Sequence, residues 1–268
     1  LMNAKSGSCS EDCGYCSQSK VSKADIDKYP LKTQDEIYSN AMKAVELKAT
    51  TFCMVISGKN PTTKDITTLA EVARRVKSEH PTLRLCASIG ITEPDQLKLL
   101  KEAGIDRINH NLNTSKNHYP KVATTHSYEQ RFNTVKTVME SGLHSCSGCL
   151  FGLGETDEDI VNMATDLKAL EVNAIPLNFL NPIPGTPMEN QRFLTPLRCL
   201  QITAVFRYMF PSTEIRLAGG REQQLRSLQG LGLYAANSMF VGDYLTTAGQ
   251  TASEDYQLIK DYGFEIAT

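Results

Sequence analysis

Residues Thr51 to Ile89 read TFCMVISGKNPTTKDITTLAEVARRVKSEHPTLRLCASI, and this stretch decides the fold. Its ends, TFCMVIS (Thr51–Ser57) and LRLCASI (Leu83–Ile89), are short runs of apolar and β-branched residues of strand length. Between them Ala70, Val72, Ala73 and Val76 recur at the three- and four-residue spacing of a helix face. Strand, helix and strand in that order make a βαβ unit with parallel strands. The unit repeats through RINHNL (Arg107–Leu112), HSCSGCLFG (His144–Gly152), AIPLNFL (Ala174–Leu180), EIRLAG (Glu214–Gly219) and NSMFVG (Asn237–Gly242). With LMNAK (Leu1–Lys5) that gives eight strands. Helical patterns separate them, as at Phe132, Val135, Val138 and Met139. Helix starts are marked by Ser127 three before Gln130, by Thr92 opening TEPDQ and by Thr156 opening TDED; Gly104 and Gly142 follow helix ends. Eight such repeats without a shift in composition predict one (βα)8 TIM-type barrel domain over residues 1–268, in preference to a doubly wound open sheet.

A chain of 268 residues that is 41% hydrophobic can bury a core of this size. The formal net charge of −2, with Lys and Glu interleaved along the helices, provides no basic face for nucleic acid. No run approaches the ~18 apolar residues of a membrane span, and no basic segment precedes an apolar one at the start. The expectation is a cytoplasmic protein with neither nucleic-acid nor membrane partners. Leu1 is not an initiator residue, so a leader segment is expected to precede it.

Eight cysteines, clustered as CxxxCxxC and CxxC in a long chain of this kind, suggest metal or redox chemistry more than disulfides. GSCSEDCGYCSQ (Gly7–Gln18) holds three of them, Cys9, Cys13 and Cys16, with no fourth Cys or His nearby. A structural zinc knuckle closes with four ligands, so that reading is disfavoured. Three thiolates instead wrap three corners of an iron–sulfide cubane and leave one iron open. The loop follows the first strand, at the C-terminal rim where barrel active sites lie.

This spacing resembles the radical S-adenosylmethionine superfamily. The resemblance implies a 4Fe–4S cluster whose open iron chelates the amino and carboxylate groups of S-adenosylmethionine, whose cleavage yields a 5′-deoxyadenosyl radical. Tyr15, between two ligands, either covers the adenine or packs; the resemblance favours the first.

Cys53, Cys86 and Cys146 lie within strands two, three and five. Taken singly each reads as a small core residue, but at similar depth in one barrel they can converge on one buried metal. Arg216 in IRLAGGRE reaches a like depth, and a buried guanidinium needs a partner. TFCMVISGKNP, RLCASIG, INHNLNTS, CSGCLFGLGET, IRLAGGRE and ANSMFVGDYLTT occur in the order seen in the biotin synthase family, across nearly the whole chain. The resemblance implies that Cys53, Cys86, Cys146 and Arg216 hold an auxiliary 2Fe–2S cluster that supplies sulfur to dethiobiotin. Where that family commonly has CSGG, this chain has CSGC. Cys149 faces outward if strand alternation holds, and inward if Gly148 hosts a bulge, in which case four thiolates would suit a four-iron auxiliary cluster. Cys199, on a helix pattern with Leu197 and Leu200, reads as structural.

The Gly-rich GLGET (Gly152–Thr156) reads either as a plain βα turn or as a place where backbone approaches a ligand. The resemblance puts Gly152, Gly154 and Glu155 along the adenine. Amides crowd the end of strand four, where they can satisfy several groups of a polar ligand. By resemblance Asn111 and Asn113 contact S-adenosylmethionine, and Asn111 also the substrate's ureido ring. Asn113 is often Asp in relatives. Arg131 resembles the residue that pairs with the methionyl carboxylate, and Asn178, Thr246 and Thr247 resemble substrate-contacting positions, the threonines at the carboxylate. The implied reaction is sulfur insertion between C6 and C9 of dethiobiotin, in a homodimer served by a flavodoxin- or ferredoxin-type electron donor. The alternatives are a radical maturase related to the iron–iron hydrogenase assembly enzyme, and a non-catalytic zinc module.

Overall fold

The computed structural model describes residues 1–267. Parallel strands β1 (Met2–Lys5), β2 (Thr51–Ile56), β3 (Arg84–Ser88), β4 (Arg107–Asn109), β5 (His144–Cys146), β6 (Cys149–Phe151), β7 (Ala174–Phe179), β8 (Glu214–Leu217) and β9 (Ser238–Met239) form one curled sheet. Its order is that of the sequence, with β5 and β6 both paired to β7 as two pieces of one strand position. The helices α1 (Gln34–Glu46), α2 (Thr63–Glu79), α3 (Pro94–Glu102), α4 (Tyr128–Glu140), α5 (Asp157–Ala169), α6 (Pro196–Met209), α7 (Arg221–Leu225), α8 (Gln229–Gly232) and α9 (Ala252–Asp261) return the chain between strands or follow the last. Among the described residues β9 and β1 are not paired, so the barrel has a seam. A side chain spans it: Asn3 Nδ2 donates to the Leu245 carbonyl at 3.0 Å.

Alternation along the strands separates two environments. Phe52, Met54, Leu85, Ala87 and Ile108 face outward and pack on Ile37, Leu69 and Leu97 of the first three helices. Phe151, Ile175, Leu177, Ile215 and Leu217 do the same against Val135, Ile160, Met163 and Phe206. Each of the larger apolar side chains contributes about 1.5–3 kcal/mol on burial, so the core lies between sheet and helices. The intervening residues, Cys53, Cys86, Asn109, Cys146, Leu150, Asn178 and Arg216, face the interior.

Helix starts are built as the sequence suggests at Ser127/Gln130 and Thr156/Asp159, which form reciprocal capping boxes, and Gly104 and Gly142 follow helix ends with left-handed φ of +96° and +71°. At α3 the cap is Glu93, not Thr92, because Pro94 takes the first helical position. The fourth strand is shorter than RINHNL, since by Asn113 the chain has turned to φ +70°. The eighth is only Ser238–Met239, ending before Gly242 at φ +77°.

The fifth strand breaks at Ser147–Gly148 but inserts no residue. Cys146 pairs with Ala174 and Cys149 with Leu177, an advance of three on both sides. A bulge at Gly148 would offset this register, so none is present, and Cys149 faces away from Cys146. Gly148 serves a different purpose: a Cβ there would stand 1.9 Å from the Pro176 carbonyl oxygen. Gly148→Ala is expected to destabilise the protein by about 1–3 kcal/mol through overpacking, measured by denaturant unfolding; an unchanged midpoint would contradict this close approach.

Candidate active site

The loop after β1 is shaped by its own acids. Gly7 N donates to Gln18 Oε1 (2.9 Å), and Gly14 N to the Val122 carbonyl (2.9 Å). Glu11, between Cys9 and Cys13, accepts from Thr125 Oγ1 (2.8 Å) and lies 2.5 Å from His126 Nδ1. Asp12 accepts from the backbone N–H groups of Thr124 (2.9 Å) and Thr125 (3.2 Å). Burial opposes ionisation of Glu11, but Thr125 and His126 outweigh it and hold its carboxyl below the usual range. The loop is thereby fastened to the segment ahead of α4, and Cys9, Cys13 and Cys16 all face a cavity of about 950 Å³ inside the barrel.

Burial pushes the Cys13 thiol up to about 12, against the pull of Arg131, and raises Cys16 as well. These thiols ionise only when a strong positive charge faces them, as iron of a cluster does. Among the described residues no three of His, Cys, Asp or Glu gather closely enough to grip a single ion; the thiols share a cavity wall. Three soft ligands on one open loop fit an iron–sulfide core with a free corner.

Beside them Arg131 Nε donates to Tyr119 Oη (2.6 Å), and its Nη1 to the Asn111 carbonyl (2.9 Å) and toward His110 Nε2 (3.2 Å). Burial, with Arg131 adding to it, drives the His110 pKa well below its ordinary value, so the ring is neutral and can accept. Asn113 Nδ2 donates to Tyr15 Oη at 2.7 Å. Its left-handed backbone suits asparagine. Asn111 Oδ1 accepts from Gly148 N (3.1 Å), replacing a ladder bond where the fifth strand breaks.

Deeper in the barrel Cys53 and Cys86 are register partners on β2 and β3. Their contact and burial raise the Cys86 thiol well above its ordinary value. Cys146 Sγ lies 3.4 Å from Asn109 Nδ2 and 3.8 Å from Arg216 Nη1. Arg216 is held on its other edges by Ser238 Oγ (3.0 Å from Nε) and by Glu214. Glu214 in turn accepts from Arg107 Nη1 at 3.0 Å, and Arg107 is the register partner of Cys86. Although burial opposes it, Arg216 and Arg107 hold the Glu214 carboxyl at about 2.

The same cavity receives Tyr15, Asn111, Asn113, Arg131, Asn178, Thr246 and Thr247. The Asn178 amide is spent on backbone, donating to the Cys149 carbonyl (3.1 Å) and accepting from Gly219 N (3.1 Å). Two groups of expected residues are not brought here. Cys149 is fully buried on the outer face among Phe151, Leu177 and the helices, where burial keeps its thiol protonated. Glu155 folds back to accept from the Gly152 and Leu153 amides (2.8 and 2.7 Å), and Gly152 lines a neighbouring cleft; with Gly154 they form a turn off the cavity wall.

Residues 5–167 match the radical SAM superfamily, and residues 176–265 match the biotin and thiamin synthesis associated domain. Biotin synthases of Halalkalibacterium halodurans and Geobacillus kaustophilus are each 52% identical over 99% of this chain and 80% of their own length; that of Bacillus subtilis is 48% identical over 99% and 79%. This chain belongs to the biotin synthase family. Among solved structures it is similar to methylornithine synthase (TM-score 0.84, 20% identity, 100% of this chain and 82% of that one). It is also similar to the FeFe-hydrogenase maturase of Carboxydothermus hydrogenoformans (TM-score 0.83, 20% identity, 98% and 66%). At that identity the likeness is one of fold. Among the described residues no helix is long and apolar enough to cross a membrane.

Several contributors escaped the sequence reading: Glu11, Asp12 and His126 at the rim, Tyr119 behind Arg131, and Glu214, Arg107 and Ser238 around Arg216. Glu214 was within reach, since it stands two residues before Arg216 on the same strand face. A carboxyl whose folded pKa is depressed to about 2 contributes stability that is full above its ordinary 4.5 and lost as pH falls toward 2. Glu214→Gln is therefore expected to cost about 3 kcal/mol at neutral pH and almost nothing near pH 2, read from urea titrations at both pH values; an equal cost at both would show that the charge is not what holds Arg216.

Proposed function

We propose that this chain inserts sulfur between C6 and C9 of dethiobiotin, with one iron–sulfur centre on Cys9, Cys13 and Cys16 and a second on Cys53, Cys86, Cys146 and Arg216. The observation that supports this most is that both cysteine sets open into one cavity within a single barrel. When bound, the rim 4Fe–4S cluster and S-adenosylmethionine supply radical hydrogen abstraction, and the auxiliary centre supplies sulfur.

The protein's own work is placement. Arg131, a guanidinium fixed by Tyr119 Oη and the Asn111 carbonyl, presents a fixed cation for the methionyl carboxylate. Asn111 and Asn113 offer amides to S-adenosylmethionine, and Asn111 also to the ureido ring. Asn178, Thr246 and Thr247 bound the substrate, the threonines at its carboxylate. The cavity walls hold the reacting carbons between the two centres. With Cys149 on the outer face, three thiols and Arg216 remain for the second centre, which favours the 2Fe–2S form over a four-iron one. By the same family reading one domain carries both centres, two copies pair as a homodimer, and a flavodoxin- or ferredoxin-type protein delivers electrons.

In anaerobic assays Cys13→Ala is expected to abolish S-adenosylmethionine cleavage, whereas Cys86→Ala keeps part of the cleavage and loses biotin formation. Biotin production by both variants would overturn the division between the two centres.

A further inference from the structure

Arg221 is the largest side chain among those fully buried, and Asp255 is likewise at 0% exposure. Arg221 opens α7 directly after a tight turn at Gly220, where φ is +76° and a Cβ would meet the Phe179 carbonyl oxygen at 1.9 Å. Its Nη2 lies 2.5 Å from Asp255 Oδ1 on α9 and 3.3 Å from Glu222 Oε1, and its Nη1 donates to Gln229 Oε1 at 2.5 Å. Arg221 Nε and Asp255 Oδ2 find no hydrogen-bond partner. A buried ion pair with idle polar atoms is a poor way to stabilise a fold, because apolar residues of the same volume serve as well or better.

What the pair does is fix two anchors. Glu222 accepts from Tyr244 Oη (2.9 Å) and from Gln250 N (3.4 Å), while Gln229 Nε2 donates to Gln250 Oε1 (3.1 Å). The segment between Asp243 and Gln250 is closed on itself by Tyr244 N to the Thr247 carbonyl (3.0 Å) and Gly249 N to Asp243 Oδ1 (3.1 Å). Its far side meets the rim: Asn3 bonds Leu245, and the Ser17 and Thr246 hydroxyls are 2.8 Å apart. The segment is thus a strap across the unpaired seam between β9 and β1, and it carries Thr246 and Thr247 to the cavity.

We propose that Arg221 and Asp255 are positioning residues whose ion pair sets the Asp243–Gln250 strap, and with it the two threonines, at the carboxylate end of the substrate. This rests on the reading of Thr246 and Thr247 as substrate contacts. Asp255→Asn keeps the size of the side chain and removes its charge. In the anaerobically reconstituted enzyme it is expected to speed amide hydrogen exchange across Asp243–Gln250 about tenfold and to raise KM for dethiobiotin by about the same factor. KM for S-adenosylmethionine and kcat should stay within about twofold of the parent, a split that general destabilisation does not produce. If Asp255→Asn does not fold, Tyr244→Phe, which removes the hydroxyl bonded to Glu222, carries the same readouts with a smaller shift. Equal rises in both KM values, or unchanged exchange across the strap, overturn the proposal. If Thr246→Val leaves dethiobiotin affinity at the parent value, the substrate reading is what fails; faster exchange in Asp255→Asn then still supports the strap, and unchanged exchange still overturns it.

Discussion

A side chain on a β-strand faces one of two ways, and the site depends on that constraint being kept across the barrel. Outward positions carry Leu, Ile, Phe and Met onto the helices, so the fold draws its hydrophobic stabilisation from the layer outside the sheet. Inward positions are released from core packing and can hold thiols, amides and a guanidinium around a cavity. The fifth strand shows how strictly this holds. Its ladder is interrupted at Ser147–Gly148, Asn111 supplies a substitute hydrogen bond, and the register passes through unshifted.

Charge inside the barrel is balanced locally. Arg216 approaches Cys146 with one nitrogen while Glu214 and Ser238 hold its other edges, and Arg107 completes the carboxylate's bonding. Two guanidinium groups and one carboxylate leave a net positive charge beside Cys146, where burial still raises the thiol against the pull of Arg216. At the rim Arg131 plays the corresponding part next to Cys13, braced by Tyr119 and the Asn111 carbonyl. Both cysteine sets therefore have beside them an arginine whose own geometry is fixed by second partners.

Much of this was legible in the sequence because it rests on short periods. The strands read from TFCMVIS and LRLCASI put Cys53 and Cys86 at similar depth in one barrel, and CxxxCxxC placed three thiols on one loop. Strand parity also gave the outward direction of Cys149; the competing bulge failed because Gly148 is required by the nearby Pro176 carbonyl and not by an extra residue. What was not legible is contact between distant parts of the chain. Nothing local announces that Glu11 will meet His126 or that Arg221 will be buried against Asp255. The seam between β9 and β1 was hidden for the same reason, since NSMFVG has strand composition along its whole length but ends early.

The account requires two iron-bearing centres in one barrel, with Cys149 serving neither. Mössbauer spectra of anoxically prepared, iron-57-loaded protein test this most directly. Two separable iron environments are expected in the parent and in Cys149→Ala, and the rim environment alone in Cys53→Ala. A single environment in the parent, or loss of the second in Cys149→Ala, would contradict it.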